Sequence, residues 1–315
     1  MNMIPFDTIS HQWLQENVIM DKEMLKKWLV AGYLEKGELY ATEQGAPQGG
    51  VISPAFLNVT LSGLEQAIKA ATKRNDKVHV IIYADDFIIT GATKEVLSGK
   101  VKPVVDAFLE ERGLVLSNEK TKITHINEGF DFLSVNTRKY KNGKLIQKPA
   151  KESVKRFLNN IRGVVKTNAS TKSEDLISQL NPKIIGWANY HRFTCAKKTF
   201  SYVSHQIFEI LWRWAKRRHP DKGKNWIRNK YFRTIGYRQW VFFSKIKGKK
   251  GESAYLDLAN ISKTPIRRHV KIRADATPYD PAYQEYFAKR QARRENKTLF
   301  FPCKSHWSAW WELTG

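Results

Sequence analysis

From Lys77 to Thr90 the chain reads Lys-Val-His-Val-Ile-Ile-Tyr-Ala-Asp-Asp-Phe-Ile-Ile-Thr, two apolar runs that meet at adjacent carboxylates. Runs of β-branched and aromatic residues of this length predict two strands joined by a tight acidic turn. Successive strand side chains point to opposite faces, yet a tight turn can aim both carboxylates near one spot, where each raises the other's proton affinity. Divalent cations remove that penalty, and Mg²⁺ prefers carboxylate and phosphate oxygens. Two such ions about 3.5–4 Å apart form the clamp used for in-line phosphoryl transfer. The alternative at this point is an Asp85-Asp86 turn that simply stays hydrated.

Charge divides the chain unevenly. Residues 1–135 hold 14 Lys and Arg against 18 Asp and Glu, a net −4, whereas residues 136–315 hold 40 against 12, a net +28. A cationic excess of that size over 180 residues calls for a polyanion, and phosphate backbones are the obvious one. An anionic membrane surface would ask for a single amphipathic basic helix; instead, eight of the ten tryptophans are scattered through the basic half. No apolar run of about 18 residues predicts a spanning helix, and no secretory leader is visible. Two cysteines, Cys195 and Cys303, make neither a disulfide framework nor a Cys-rich zinc site, so the expected location is intracellular: the cytoplasm of a bacterial cell or an organelle interior.

Periodicity predicts helices in the first 40 residues up to Gly32, then over Pro54–Ala71 behind a Gly/Pro loop at Gly45–Gly50, and over Glu95–Arg112. Strands are expected at Lys122–Ile126 and Phe130–Thr137, with a hairpin turn at Asn142-Gly143. Beyond Pro149 the texture becomes one of basic helices at Ser153–Val165, Ser173–Gln179, Pro182–Tyr190 and Phe200–His219. Ser244–Gly251, with four lysines, reads as a solvated loop. In the last long helix Arg213, Lys216, Arg217 and Arg218 fall within about two turns, while Leu211, Trp212 and Trp214 supply an apolar face. Such a helix rests on a core and presents cations to phosphates. The tryptophans are expected mainly in the core, with stacking on splayed bases the minority role. His191 and His219 have no second ligand at helical spacing and are expected to be hydrogen-bonded or phosphate-facing.

Two motifs together carry a resemblance. Tyr83-Ala84-Asp85-Asp86 between apolar strands, preceded by Gln44-Gly45-Ala46-Pro47-Gln48-Gly49-Gly50-Val51-Ile52-Ser53-Pro54, closely resembles the reverse transcriptases encoded by group II introns. Later segments are similar to the same family: Gly113-Leu114, Lys120-Thr121-Lys122, and Gly129-Phe130-Asp131-Phe132-Leu133, with Ser134 where glycine is commoner. So are Asn181-Pro182, Gly186–His191, Leu211–Pro220 and Gly236–Trp240, which resemble the maturase (thumb, or X) domain. The resemblance implies an α+β fold: a partial polymerase palm with an antiparallel sheet and helices over 1–138, a mostly helical basic thumb/maturase domain over 149–243, and a basic C-terminal segment over 252–315. It implies Asp85 and Asp86 as catalytic metal ligands for Mg²⁺, and Gly45, Ala46, Pro47, Gln48, Gly49, Tyr83 and Lys120 as contacts to nucleotide or template. A solvated strand end remains the alternative for Lys120. Arg192 joins Arg213, Lys216, Arg217 and Arg218 as RNA-binding candidates. The implied partners are group II intron RNA and, for the Arg- and Trp-rich tail, target DNA; the implied role is to assist splicing and copy RNA into DNA as part of a mobile element.

The sequence also departs from the family pattern. The family's first metal-binding aspartate precedes by six residues a position matching Asp7, which lands on Met1. A thioether cannot replace a carboxylate on Mg²⁺, and Asp7 reads as a helix-entry residue ahead of Trp13. The expectation is therefore an N-terminally incomplete reverse transcriptase/maturase, inactive in polymerisation on its own. A non-enzymatic RNA-binding splicing factor and a decayed fragment are the alternatives. No endonuclease is expected, because Cys303 stands alone near the end.

Overall fold

The computed structural model describes residues 8–35, 38–40, 45, 52–117, 119, 121–247, 252–267, 270–273 and 276–296. The chain forms two compact units, 1–266 and 267–315.

The first unit begins with α1 (His11–Asn17) and α2 (Lys22–Val30), whose N-caps Ser10 and Asp21 each accept a hydrogen bond from a backbone N–H of the first turn. A short hairpin follows, β1 (Tyr33–Glu35) against β2 (Glu38–Tyr40). The helix expected over Pro54–Ala71 is instead two, α3 (Ser53–Thr60) and α4 (Leu64–Ala71), because Gly63 takes φ +91° and turns the chain between them. Next come the antiparallel strands β3 (His79–Tyr83) and β4 (Asp86–Thr90). A helical segment follows, running from α5 (Lys94–Val96) through a wider π turn (Leu97–Val101) into α6 (Lys102–Glu110).

One apolar core gathers Ile9, Leu14, Leu29, Phe56, Leu64, Phe87 and Leu109 among others. Gly113 sits where that core is closed: its φ is +74°, and a Cβ there would lie 2.7 Å from the Thr8 carbonyl and 2.8 Å from the Ser10 nitrogen. The chain near Thr8 is thereby held against the end of α6, with Ser10 N–H donating to the Arg112 carbonyl at 3.0 Å.

No strand forms at Lys122–Ile126: that stretch is largely exposed, and its Ile126 carbonyl accepts a backbone hydrogen bond from Lys139 N–H at 2.9 Å without a ladder forming. The strand expected over Phe130–Thr137 is a hairpin, β5 (Phe130–Phe132) and β6 (Val135–Lys139), turning through Leu133 (φ +46°) and Ser134 (φ +64°). Positive φ at both central residues matches the right-handed strand twist. The turn at Asn142-Gly143 does join β6 to β7 (Leu145–Pro149), completing a three-stranded antiparallel sheet.

Four helices build the second core: α7 (Lys151–Thr167), α8 (Ser173–His191), α9 (Lys197–Arg218) and α10 (Lys224–Tyr231). The two helices expected on either side of Pro182 are one continuous α8. Pro182 lies exposed, and the Asn181 amide beside it donates to the Asp257 carbonyl at 3.0 Å while its oxygen accepts from Ala259 N–H at 2.8 Å. Those partners belong to a sheet, or to the residues just after it: β8 (Phe232–Ile235), β9 (Arg238–Lys247) and β10 (Ser253–Asp257), with β9 in the centre. Ser244–Lys247, expected as loop, is therefore strand. Leu258 and Ile261 complete the helical core with Phe200, Leu211, Trp214 and Phe242.

In the second unit α11 (Gln284–Asn296) packs on the segment before it, where Arg290 donates to the carbonyls of Val270 and Lys271 and Arg273 lies over the Tyr286 ring.

Candidate polymerase palm and basic thumb

The β3–β4 turn holds the two aspartates. Tyr83 pairs with Asp86 across the ladder, and the tight turn needs φ +52° at Ala84. Asp85 is half-buried, whereas Asp86 is only 8% exposed. Burial raises the Asp86 proton affinity first, and the neighbouring Asp85 charge adds to it. Among the described residues no Lys, Arg or His forms an ion pair or hydrogen bond with either carboxylate. Two adjacent carboxylates, one buried and neither paired with a described basic side chain, suit a hard divalent cation bound through oxygens. No group of three or more His, Cys, Asp or Glu side chains able to hold a metal occurs among the described residues.

The glycine-rich loop is seen only at its first residue. Gly45 is buried, its N–H donates to the Ile9 carbonyl at 3.0 Å, and its carbonyl lies 2.6 Å from His11 Nε2. This pins the start of the loop to the entry of α1. Ala46, Pro47, Gln48, Gly49, Lys120 and Asp7 lie outside the described residues.

Tyr83 is 63% exposed on the edge of the acidic hairpin. Sequence reasoning missed its neighbour from the helical part, Tyr190 near the end of α8. The Tyr190 hydroxyl donates to the Leu133 carbonyl at 2.7 Å, in the β5–β6 turn. Burial chiefly, and Tyr83 nearby, raise the Tyr190 proton affinity. The same helix end is fixed from behind: Trp187 stacks on Phe157 and meets His191 and Phe200. His191 is fully buried, 3.4 Å from the Ser153 hydroxyl, and burial pulls its pKa down to about 4. His219 instead lies 2.7 Å from the Tyr231 hydroxyl, its proton affinity lowered by burial and by Lys230, Arg218 and Lys222.

The cationic candidates separate into two kinds. Lys216 and Arg217 project into solvent from the last turn of α9, and Arg213 is exposed beside Glu209 at 3.3 Å. Arg218 turns inward, donating to the carbonyls of Ala169 (3.1 Å) and Thr171 (2.6 Å) and lying over Trp214. Arg192 is half-buried, donates to Asn189 at 3.3 Å and lies over Phe193. Trp214 is core and Trp187 and Trp212 pack on it, but Trp226 and Trp240 keep substantial exposure.

A carboxylate-bearing antiparallel hairpin packed with helices, followed by a basic helical domain, is the layout of a polymerase palm with its thumb. Family models agree with that division: the reverse transcriptase (RNA-dependent DNA polymerase) domain matches residues 5–137, and the group II intron maturase-specific domain matches 154–232. The chain belongs to the group II intron reverse transcriptase/maturase family. Among curated relatives, protein YkfC of Escherichia coli K12 is 31% identical over 166 residues, 41% of this chain and 43% of that protein. The group II intron-encoded protein LtrA of Lactococcus lactis subsp. cremoris is 24% identical across 62% of this chain and 41% of LtrA. The chain thus spans about two-fifths of the length of these relatives. A solved telomerase from Candida albicans, in complex with a fragment of telomeric RNA, is 13% identical and aligns with a TM-score of 0.29 over 64% of this chain and 36% of that one. No helix among the described residues is long and apolar enough to cross a membrane.

Proposed function

We propose that this chain binds group II intron RNA through the exposed cations of its maturase domain, assists the folding of that RNA for splicing, and contributes Asp85 and Asp86 to an RNA-directed DNA polymerase site. The acidic turn, with Asp86 buried, in a chain with a strongly basic second half carries this reading. Asp85 and Asp86 would hold Mg²⁺. When bound, such ions neutralise the charge on a transferred phosphoryl group and activate the attacking 3′-hydroxyl. The protein's own part is to fix the carboxylates on a rigid hairpin and to anchor the glycine-rich loop at Gly45. Tyr190 ties the maturase helix α8 to the palm beside them. A non-catalytic RNA-binding role is the second reading, which the exposed Lys216 and Arg217 of the maturase domain would serve without the acidic turn.

The discriminating experiment measures intron RNA affinity and Mn²⁺ binding on the same preparations. RNA affinity should fall steeply with salt. Lys216→Gln with Arg217→Gln should reduce the slope of log K against log salt by up to about 2, one for each phosphate that is no longer neutralised. Asp85→Asn with Asp86→Asn should leave that slope and affinity unchanged while abolishing tight Mn²⁺ binding seen by electron paramagnetic resonance. A flat salt response refutes the RNA platform. Mn²⁺ binding that survives the double substitution refutes the metal assignment and leaves the non-catalytic reading.

A further inference from the structure

A cavity of about 600 Å³ opens between α9, the strands β8 and β9, and the segment that follows β10. Its walls are aromatic, from Phe208, Phe232, Trp240 and Phe242, with Ser204 and Arg238 supplying polar groups. Two features of β9 distinguish it from a packing defect. Trp240 holds φ +61°, where the β8–β9 register shifts between Arg233 and Ile235. A bulky side chain in that region is a genuine outlier that surrounding structure must enforce, and a bulge of this kind re-aims a side chain. Here the re-aimed indole is edge-on to Phe208 and Trp212, has the Arg228 guanidinium 4.7 Å from its centroid, and also walls a smaller cavity of about 280 Å³.

The second feature is Arg238. Its guanidinium makes no hydrogen bond among the described residues, although it is half-buried. Asp257 attracts it, but both Asp257 oxygens are already held by Arg233, at 2.8 and 2.5 Å. Glu209, near the rim at His205, is likewise paired with Arg213. A half-buried arginine left without an acceptor, beside rings, in a domain carrying a large cationic excess, calls for an occupant that has both a π-face and hydrogen-bond acceptors on its edge.

We propose that this cavity captures a single unpaired nucleobase of the bound RNA, stacked among the aromatic walls, with Arg238 donating to an acceptor on the base edge, a ring nitrogen or a carbonyl oxygen. The volume lies within the range of small-ligand pockets, about 300–1,000 Å³. An unstacked loop or bulge nucleotide can enter it, whereas a paired base cannot. The maturase domain then reads RNA shape through one splayed base, in addition to gripping phosphates. This rests on the RNA-binding reading above, and the two fail separately in the following test.

The probe is a single-stranded RNA of about 14 nucleotides, within the site sizes of single-strand binders, carrying 2-aminopurine at its centre and paired with the same RNA made abasic there. Binding to the 315-residue chain should quench the 2-aminopurine emission, and the abasic RNA should bind about tenfold more weakly, the scale of one stacked base. Arg238→Gln, and independently Ser204→Phe, which fills the cavity from α9, should each remove the quenching. Each should weaken the intact RNA by a similar factor without further weakening the abasic one. Circular dichroism confirms that both variants remain folded, and the salt slope should stay at the unsubstituted value. Unchanged emission, or equal affinity for intact and abasic RNA, overturns the base pocket while leaving the phosphate grip in place. No binding of either RNA overturns both.

Discussion

The Arg233–Asp257 pair offers the sharpest test of the maturase fold, because it fastens the two outer strands of a sheet across the central one. Arg233 on β8 faces Val241, and Asp257 on β10 faces Phe243, two residues further along β9. The pair is bidentate, Nε to Oδ1 at 2.8 Å and Nη2 to Oδ2 at 2.5 Å, and each side chain keeps only 29% of its surface exposed. A hydrogen bond to a charged group contributes about 1.5–3 kcal/mol. Partial solvent screening pulls the pair toward the lower half of that range. Arg233 also lies over Tyr255 at 4.3 Å, a cation–π contact present with or without the carboxylate and therefore no part of the difference. Asp257→Asn should therefore destabilise the chain by about 1.5 kcal/mol in urea titration. The control is Lys69–Glu65, whose side chains are 62% and 47% exposed. An exposed pair of that spacing contributes about 0.3–0.5 kcal/mol and is screened by salt. At about 0.5 M NaCl, where the screening length is only a few ångströms, the Glu65→Gln effect should vanish and most of the Asp257→Asn effect should persist. An Asp257→Asn loss no larger than that of Glu65→Gln would refute the clamp.

Asp86 makes stability depend on pH in a definite direction. Its folded proton affinity is raised above the ordinary 3.8, so its favourable contribution is complete below that value and is lost as pH rises through the folded value. Asp86→Asn should flatten thermal melts across that window and raise the melting temperature at neutral pH in the absence of divalent ions; a variant less stable at neutral pH would contradict the burial argument. At the β5–β6 turn, Ser134 holds φ +64°, a conformation that disfavours any residue with a Cβ by about 1 kcal/mol. After the larger chain entropy of glycine is allowed for, Ser134→Gly should stabilise by about 0.5 kcal/mol in urea titration, and a net loss would show that Ser134 does more than fill a turn.

What was legible in the sequence was whatever depended on local pattern. Tyr83 to Asp86 announces a turn because β-branched runs stand on both sides, and Asn142-Gly143 can hardly be anything else. Gly63 hid in a continuous apolar rhythm that suits one helix or two. Phe232 was invisible as a strand start because β8 follows Tyr231 without an intervening turn residue, and the lysines after Ser244 masked the end of β9. Pro182 looked like a break, but the Asn181 amide, bonded to chain 76 residues away, secures α8 at that point. Arg218 and Arg217 are indistinguishable by composition. Only the carbonyls of Ala169 and Thr171, reached through the fold, separate a helix clamp from a free cation.

The same distinction bears on how RNA contact could reach the acidic turn. The two apolar cores share no buried residue, so coupling between them must run through the surface that joins them. Tyr190 occupies that surface, bonded to the Leu133 carbonyl and close to Tyr83, with Trp187 and His191 holding the same helix end against Phe157 and Phe200. Because α8 is unbroken from Ser173 to His191, and Asn181 ties its middle to the chain at the end of the sheet that carries Arg238 and Trp240, one continuous helix joins that sheet to the β5–β6 turn. A flexible break at Pro182 would have isolated the two ends. On the reading proposed above, the continuity of this one helix is what would let a grip on RNA at the sheet bear on the β5–β6 turn that Tyr190 holds beside Tyr83.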